Sequence, residues 1–375
     1  MSPVENNNLV LSRNKKRSCA YHSFLSVCRA KQGRVNAVIR LGHTLMRKEK
    51  IFHHFFADHS LRAVAAHLAF FSLKLPYEYD NPVYLDRSLN EEEAREILGL
   101  FERRIAERLP LAYLTQEATY LGRRFYVNEQ VLVPRSLMNT RFEEFLARIS
   151  WENHRVLDLC AGSGCIGISL ALMNPRLQVD LADISAEALK VAEVNVERFS
   201  LSARVHCIES DLFSRIEGKY DLIISNPPYV SDYEYQWQPP EIKKEPALAL
   251  KGGVDGMDLV NRIWVEAREY LNPKGILVAE VGYAATRRLK WRYPRVALEG
   301  VCYKKPEEAG KKGIWKKIAR WSDLPFEWSG MMDGVVVCER EQLPLELSRK
   351  NDPLRSWLFR TSRLIQRLCR FFREN

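Results

Sequence analysis

The 375-residue chain has no run of about 18 uninterrupted apolar residues, so no segment reads as a transmembrane helix. Its first 30 residues are basic but lack a clean apolar stretch before a small-residue cleavage site, which speaks against a secretory signal. Eight cysteines are few for this length and follow no framework spacing. They read as reduced thiols in a reducing compartment. Cys160 and Cys165 have no histidine nearby, the adjacent His53 and His54 cannot share a helix face with each other, and with His59 and His67 they read as ordinary surface or core histidines, so no metal site is expected. No internal repeat or low-complexity tract stands out. What is present is an ordinary globular balance, 46% apolar and 28% charged residues, enough for two or three domains. Collagen-like, rod-like and wholly disordered chains are excluded.

The net charge of +10 is unevenly placed. Residues 1–50 carry +9, residues 284–321 carry +9 and residues 345–375 carry +5, which leaves the rest of the chain acidic. Basic appendages bind polyanions by releasing counterions, so rRNA or a ribosome assembly intermediate is an expected contact; a solvated charge run is the plainer alternative. The tail 354–372 reads as a basic amphipathic helix, with Trp357, Leu358, Leu364, Leu368 and Phe371 on one face.

Residues 35–110 read as helical. The best helix opens at Asn90, an N-cap residue, followed by Glu91, Glu92 and Glu93 at the positive helix end, and Ala94, Ile97, Leu98, Phe101, Ile105 and Leu109 form its apolar face. Residues 111–136 change period and read as a β-hairpin linker, with a turn at Gly122. From 155 onward short apolar strands alternate with helices: Arg155–Leu159, Gln178–Ala182, Arg204–Glu209, Asp221–Ser225 and Gly275–Val281, with an edge strand at Gly334–Cys338. That alternation implies an α/β domain with a parallel sheet covered on both faces.

Two motifs carry chemistry. The first strand runs into Cys160-Ala161-Gly162-Ser163-Gly164, where glycines let a ligand approach the backbone. Asp158 ends that strand and Asp183 ends the next, 25 residues on, a spacing that suits a carboxylate gripping ribose hydroxyls. The third glycine of a dinucleotide fingerprint is missing and no Gly-Lys-Ser/Thr follows, which disfavours nicotinamide cofactors and nucleoside triphosphates. The second motif is Asn226-Pro227-Pro228-Tyr229 after the strand Asp221–Ser225. Two prolines fix φ, Asn226 adds a carbonyl oxygen and Tyr229 adds a ring. Such an acceptor-rich, rigid end suits a planar NH₂ group: two acceptors take its N–H donors and a ring stacks on its face.

Together, DLCAGSGCIG, Asp183, SDLF at 210–213 and SNPPYV resemble the class I S-adenosylmethionine-dependent methyltransferases. More narrowly they resemble the HemK/PrmC/PrmB branch, which methylates the side-chain amide of glutamine. The run Ala112–Ser136 is similar to the PrmB type, which acts on large-subunit ribosomal protein three; Pro134-Arg135-Ser136-Leu137 stands where the release-factor branch has Pro-Arg-Pro-Glu-Thr-Glu. Further matches are Glu245–Leu250, Gly252–Gly256, Glu280-Val281-Gly282 and Asp333-Gly334-Val335, and the resemblance covers about residues 35–292 and 323–343.

The resemblance implies a Rossmann-like seven-stranded sheet, a small N-terminal helical substrate-recognition domain (35–110) after a basic extension (1–34), and a methyltransferase domain at 137–343 followed by the basic tail 344–375. It implies S-adenosylmethionine as cofactor, with Asp158, Cys160, Ala161, Gly162, Ser163 and Gly164 around its amino-acid end, Asp183 on its ribose, Asp211 and Leu212 beside its adenine, and Asn226 near the methyl group. Asn226, Pro227, Pro228 and Tyr229 would bind the target glutamine, with Asn226, Pro227 and Tyr229 closest to the chemistry. The implied partner is the ribosomal protein and the implied compartment the cytoplasm, or the mitochondrion if the basic N-terminus is a transit segment. The chain departs from the branch in a lysine-rich insert at 295–322, which would lie away from the cofactor loop, in Tyr283 where Asn is usual, and in Phe52–Asp58 where a Gly-His-Gly-Thr-Asp-like run is usual. Methylation of release factors, N6-methylation of adenine and a non-catalytic ribosome-binding module stay open as alternatives.

Overall fold

The computed structural model describes residues 15–30, 32–52, 60–136, 138, 142 and 154–282, together with the strand residues 298–300, 319–320 and 334–339. The N-terminal part contains helices α1 (Lys15–Arg29), α2 (Val35–Lys48), α3 (Leu61–Ser72), the one-turn α4 (Pro82–Leu85), α5 (Glu91–Ala106) and the short α6 (Leu111–Thr115). Helix α5 starts at the cap the sequence announces. Asn90 Oδ1 accepts from the Glu93 N–H at 2.9 Å, and the Glu93 carboxylate accepts from the Asn90 N–H at 3.1 Å. Such a cap is worth about 1 kcal/mol. Its apolar stripe is buried against α2 and α3, where Val38, Ile39, Val64, Leu68 and Phe70 complete one core.

Two elements differ from the sequence expectations. The stretch 1–34, expected as a bare basic extension, contains α1, and its Tyr21, Leu25 and Cys28 are buried in the same core. Spaced four and three apart, those residues make a helical stripe inside a basic run. Arg17 Nη2 and the Tyr21 hydroxyl both donate to Glu102, at 3.2 and 3.3 Å. Residues 111–115, expected in the hairpin linker, form α6, which ends at Gln116 in the left-handed region with φ 54°. The hairpin follows as β1 (Glu117–Tyr120) and β2 (Arg123–Tyr126), paired antiparallel through a turn at Leu121 and Gly122, both at positive φ.

The second part is the α/β domain. It alternates β3 (Arg155–Leu159), α7 (Cys165–Met173), β4 (Gln178–Asp183), α8 (Ala186–Arg198), β5 (Val205–Glu209), β6 (Tyr220–Ser225), the short α9 (Asp232–Gln236), α10 (Asp258–Tyr270) and β7 (Leu271–Val281), then β8 (Leu298–Gly300), β9 (Ala319–Arg320) and β10 (Gly334–Glu339). The sheet order is β5-β4-β3-β6-β7-β10-β8-β9. The first five strands run parallel and β10 is antiparallel to β7. Both faces are covered, so the central strands read as continuous apolar runs. Val156, Val179, Leu222, Ile224 and Val278 pack under α7 and α8, whereas Leu157, Leu159, Ile223, Leu277 and Ala279 pack under α10 and its Trp264.

Among the described residues the sheet has eight strands, against the expected seven. Both β8 and β9 fall inside 295–322, so the expected insert supplies edge strands, and they sit at the edge remote from β3. Pairing at an edge satisfies backbone groups that an unpaired insert would leave to water. The predicted tail helix, residues 53–59 and Tyr283 lie outside the described residues. Among the described residues, no helix is long and apolar enough to cross a membrane, and no cluster of His, Cys, Asp or Glu is placed to hold a metal ion.

Candidate active site

A cavity of about 440 Å³ opens at the carboxyl ends of β3, β4 and β6. That is where parallel sheets leave room for a ligand, and the volume is in the range of small-molecule sites. Its first wall is made largely of backbone. The chain leaves β3 through Cys160, Gly162 and Gly164, all at positive φ (59°, 55° and 74°). A Cβ on Gly162 would meet nothing within 4 Å, so its bare main chain faces the cavity, whereas a Cβ on Gly164 would stand 2.9 Å from Leu181 Cδ1. The first glycine leaves room for a ligand and the second lets α7 pack on β4.

Asp183 ties this loop to the end of β4. Its Oδ2 accepts from the Gly162 N–H at 2.9 Å and its Oδ1 from the Ser185 N–H at 3.0 Å. Burial pushes its carboxyl up, and the backbone N–H donors oppose that. Asp158 lies under the loop rather than on the cavity wall. Fully buried, it accepts the Gly167 N–H at 2.8 Å through Oδ2, and its Oδ1 is unpartnered. Burial raises its carboxyl from the ordinary 3.8 to about 7. Of the other residues expected at the cofactor, Cys160, Ala161, Ser163, Asp211 and Leu212 line the cavity and Gly164 does not. Burial pushes the Cys165 thiol, which also lines the wall, up to about 12, so it is an inert neutral group there.

The cavity is also lined by Asn226 and Pro228 at the end of β6, by Pro134–Ser136 and by Pro246–Ala249. Pro227 is buried, Tyr229 is half-buried against the α10 side of the sheet, and neither of these two expected target-binding residues lines the cavity. The Tyr229 hydroxyl donates to Glu280 Oε1 at 3.0 Å, and the Ser136 hydroxyl donates to Glu280 Oε2 at 2.6 Å. Next to Ser136, Arg135 Nη1 donates to both oxygens of Glu245 at 2.9 and 2.7 Å, and the Val133 N–H adds a third bond at 2.9 Å. The linker therefore grips two buried glutamates with two consecutive residues.

The sequence singled out none of these side-chain pairings. Nor did it single out Ile184 and Arg262 on the cavity wall, or Asn195. Asn195 is fully buried on α8, and its Nδ2 donates to the Ser163 and Tyr126 carbonyls, both at 2.9 Å, which couples the glycine loop to the hairpin. Glu241 and Glu245, which follow the Asn-Pro-Pro-Tyr box, are 2% and 3% exposed. Glu241 accepts from Arg108 at 2.8 Å and from the Phe52 N–H at 3.1 Å, which joins the helical part to the α/β domain. Each glutamate is thus paired with an arginine.

The donor set fits an amino-acid-bearing nucleoside. Open backbone at Gly162 leaves room for close approach, a carboxylate fixed by two N–H groups stands at the end of β4, and Asp211 and Leu212 close the far side. Comparisons with known proteins agree. Residues 140–239 match the family model described as methyltransferase small domain. The ribosomal protein uL3 glutamine methyltransferase of Neisseria meningitidis serogroup B is 44% identical over 285 residues, 74% of this chain and 84% of that one. Its counterpart in Bordetella pertussis is 44% identical over 223 residues, 58% and 74% of the two chains. A crystal structure of a methyltransferase from Pyrococcus furiosus aligns over 59% of this chain and 91% of that one, at 17% identity and a TM-score of 0.39. The identity and coverage of the Neisseria relative establish that this chain belongs to the ribosomal protein uL3 glutamine methyltransferase family.

Proposed function

We propose that this chain transfers a methyl group from S-adenosylmethionine to the side-chain amide nitrogen of a glutamine in ribosomal protein uL3. One observation carries the reading. Asn226 and Pro228 line the same cavity as the glycine loop and Asp183. An electrophile and an NH₂ group held by those residues would meet in one enclosure.

The amide nitrogen is a poor nucleophile because its lone pair is delocalised into the carbonyl. When bound, S-adenosylmethionine supplies an electrophilic methyl group. The work of the chain is placement and charge stabilisation. Asn226 Oδ1 and the Pro227 carbonyl accept the two amide N–H bonds, which aims the nitrogen lone pair and spreads the positive charge that develops there. The Tyr229 ring covers the amide plane. The amide nitrogen, once methylated, would give up one proton to water, so no dedicated base is needed. Asp183 holds the ribose hydroxyls, and the loop 160–164 carries the amino-acid end.

Residues 35–110 are read as the part that recognises the folded target. The basic segments 1–50, 295–322 and 345–375 are read as contacts to rRNA or to an assembling ribosome, and the cytoplasm as the place of action. Labelled methyl transfer tests the central claim, with wild type and Asn226→Ala each offered undermodified uL3, release factors and DNA. Label on uL3 alone, reduced about 10²–10³-fold in the variant, is expected from losing one preorganised polar contact. Label on release factors or DNA alone overturns the target.

A further inference from the structure

We propose that Glu280 is a positioning residue for methyl transfer: it holds the Tyr229 ring, and Ser136 holds Glu280. The inference rests on the reading that Tyr229 covers the target amide. Glu280 sits near the end of β7 and is 3% exposed. A buried carboxylate has to be satisfied by donors, and two hydroxyls are among them, Tyr229 at 3.0 Å and Ser136 at 2.6 Å. Both hydroxyls donate to it, so both hydroxyl hydrogens point at it. The phenol oxygen is thereby fixed at one end of the ring and Cβ at the other, and packing then sets the ring plane.

The packing is close on both sides of the residue. A Cβ on Gly282 would stand 3.1 Å from Tyr229 Cδ2, and one on Gly256 would stand 2.2 Å from the Tyr229 carbonyl oxygen. Only glycine fits at the second position, where φ is also 77°. The Tyr229 ring and main chain are thus seated in space that two glycines leave open. Apolar filling alone does not call for an acid here, because glutamine or methionine has a similar volume. A carboxyl oxygen in that place does something an apolar side chain does not. It draws the phenol proton and enriches the ring in electron density, which favours a positive charge over its face. Charge of that sign develops on the amide nitrogen as the new bond forms. Ser136 extends the arrangement into the linker, one residue from the Arg135–Glu245 pair.

The test compares wild type with Glu280→Gln, Ser136→Ala, Tyr229→Phe and the Tyr229→Phe/Glu280→Gln double variant. It measures kcat and KM on uL3, the dissociation constant for S-adenosylmethionine, the thermal midpoint, and fluorine spectra of protein carrying 3-fluorotyrosine. The resonance lost in Tyr229→Phe identifies the ring. Glu280→Gln is expected to lower kcat on the order of tenfold to a hundredfold, the cost of a small misplacement, with KM and cofactor affinity within about threefold of wild type. The double variant should be no slower than the slower single variant, because both changes break one contact. The assigned resonance should shift in Glu280→Gln and, less, in Ser136→Ala. Unchanged kcat in Glu280→Gln, losses that multiply in the double variant, or a raised KM at constant kcat would each overturn the proposal. If Glu280→Gln does not fold, Ser136→Ala decides, by a kcat several-fold lower or equal to wild type. Wild type that leaves uL3 unlabelled removes the activity reading, and this inference falls with it; wild type that labels uL3 while Glu280→Gln does so equally fast removes this inference alone.

Discussion

The two walls of the cavity are built by different means. The loop wall is short-range and mostly main chain: Gly162 and Asp183 are 21 residues apart, and the bonds between them run from N–H to carboxylate. The target wall is long-range and side-chain built: Arg135 reaches Glu245 across 110 positions and Ser136 reaches Glu280 across 144. A main-chain wall tolerates changes of side chain but not an added Cβ or a moved strand end. A side-chain wall rests on individual charges that have left water, so single substitutions can break it.

The largest effect should therefore come from the target wall. Arg135→Met leaves Glu245, 3% exposed, without its guanidinium. Breaking a buried pair on one side costs about 3–5 kcal/mol. Denaturant unfolding should show that loss, and replacing both partners (Arg135→Met with Glu245→Leu) should recover much of it. If the single variant is as stable as wild type, the wall is not charge-built and the comparison fails.

On the loop wall the corresponding change should spare the fold and weaken the ligand. Asp183→Ala removes the acceptor shared by Gly162 and Ser185, and with it the group assigned to the ribose. Hydrogen bonds to a charged group are worth about 1.5–3 kcal/mol, so S-adenosylmethionine should bind roughly tenfold to a hundredfold more weakly by calorimetry. Gly162→Ala asks a smaller question. The new methyl group meets no protein atom within 4 Å, but it points into the cavity from a residue at φ 55°. Stability should fall by about 1 kcal/mol from the backbone alone, and cofactor affinity should fall with it.

The same contrast decides what could be read from the chain. Strand ends, the glycine turn and Asp183 were legible, because apolar runs and turn residues are local signals. The Asn90 cap was legible for the same reason. Helix α1 was obscured by its lysines and arginines, although Tyr21, Leu25 and Cys28 carry the helical spacing. Glu241 and Glu245 were visible as acids, but nothing local says that Arg108 and Arg135 fold onto them. Glu280 stood out only as part of a short motif. Its partners, Ser136 and Tyr229, come from the linker and from the end of β6, and only the sheet order β6-β7 brings them together. The insert's edge strands were hidden because pairing at a sheet edge is a tertiary event.

The smallest effect per step is a pH slope, and it separates the two kinds of buried acid. Under the target wall, Glu245 has a guanidinium. Under the loop wall, Asp158 has one N–H donor and an unpartnered oxygen, and burial holds its carboxyl at about 7 against an ordinary 3.8. Between those two values the folded chain holds a proton that the unfolded chain has released. The folded state binds more protons there, so stability rises as pH falls from about 7 toward 4, and above 7 the folded chain bears the cost of a buried charge. A single group contributes at most about 1.4 kcal/mol per pH unit. Asp158→Asn keeps an acceptor for the Gly167 N–H but cannot titrate, so its unfolding free energy should lose that slope, while Arg135→Met should lose stability at every pH in the window and keep it. If Asp158→Asn retains the wild-type slope, the proton belongs elsewhere, and the loop wall holds its charge as firmly as the target wall.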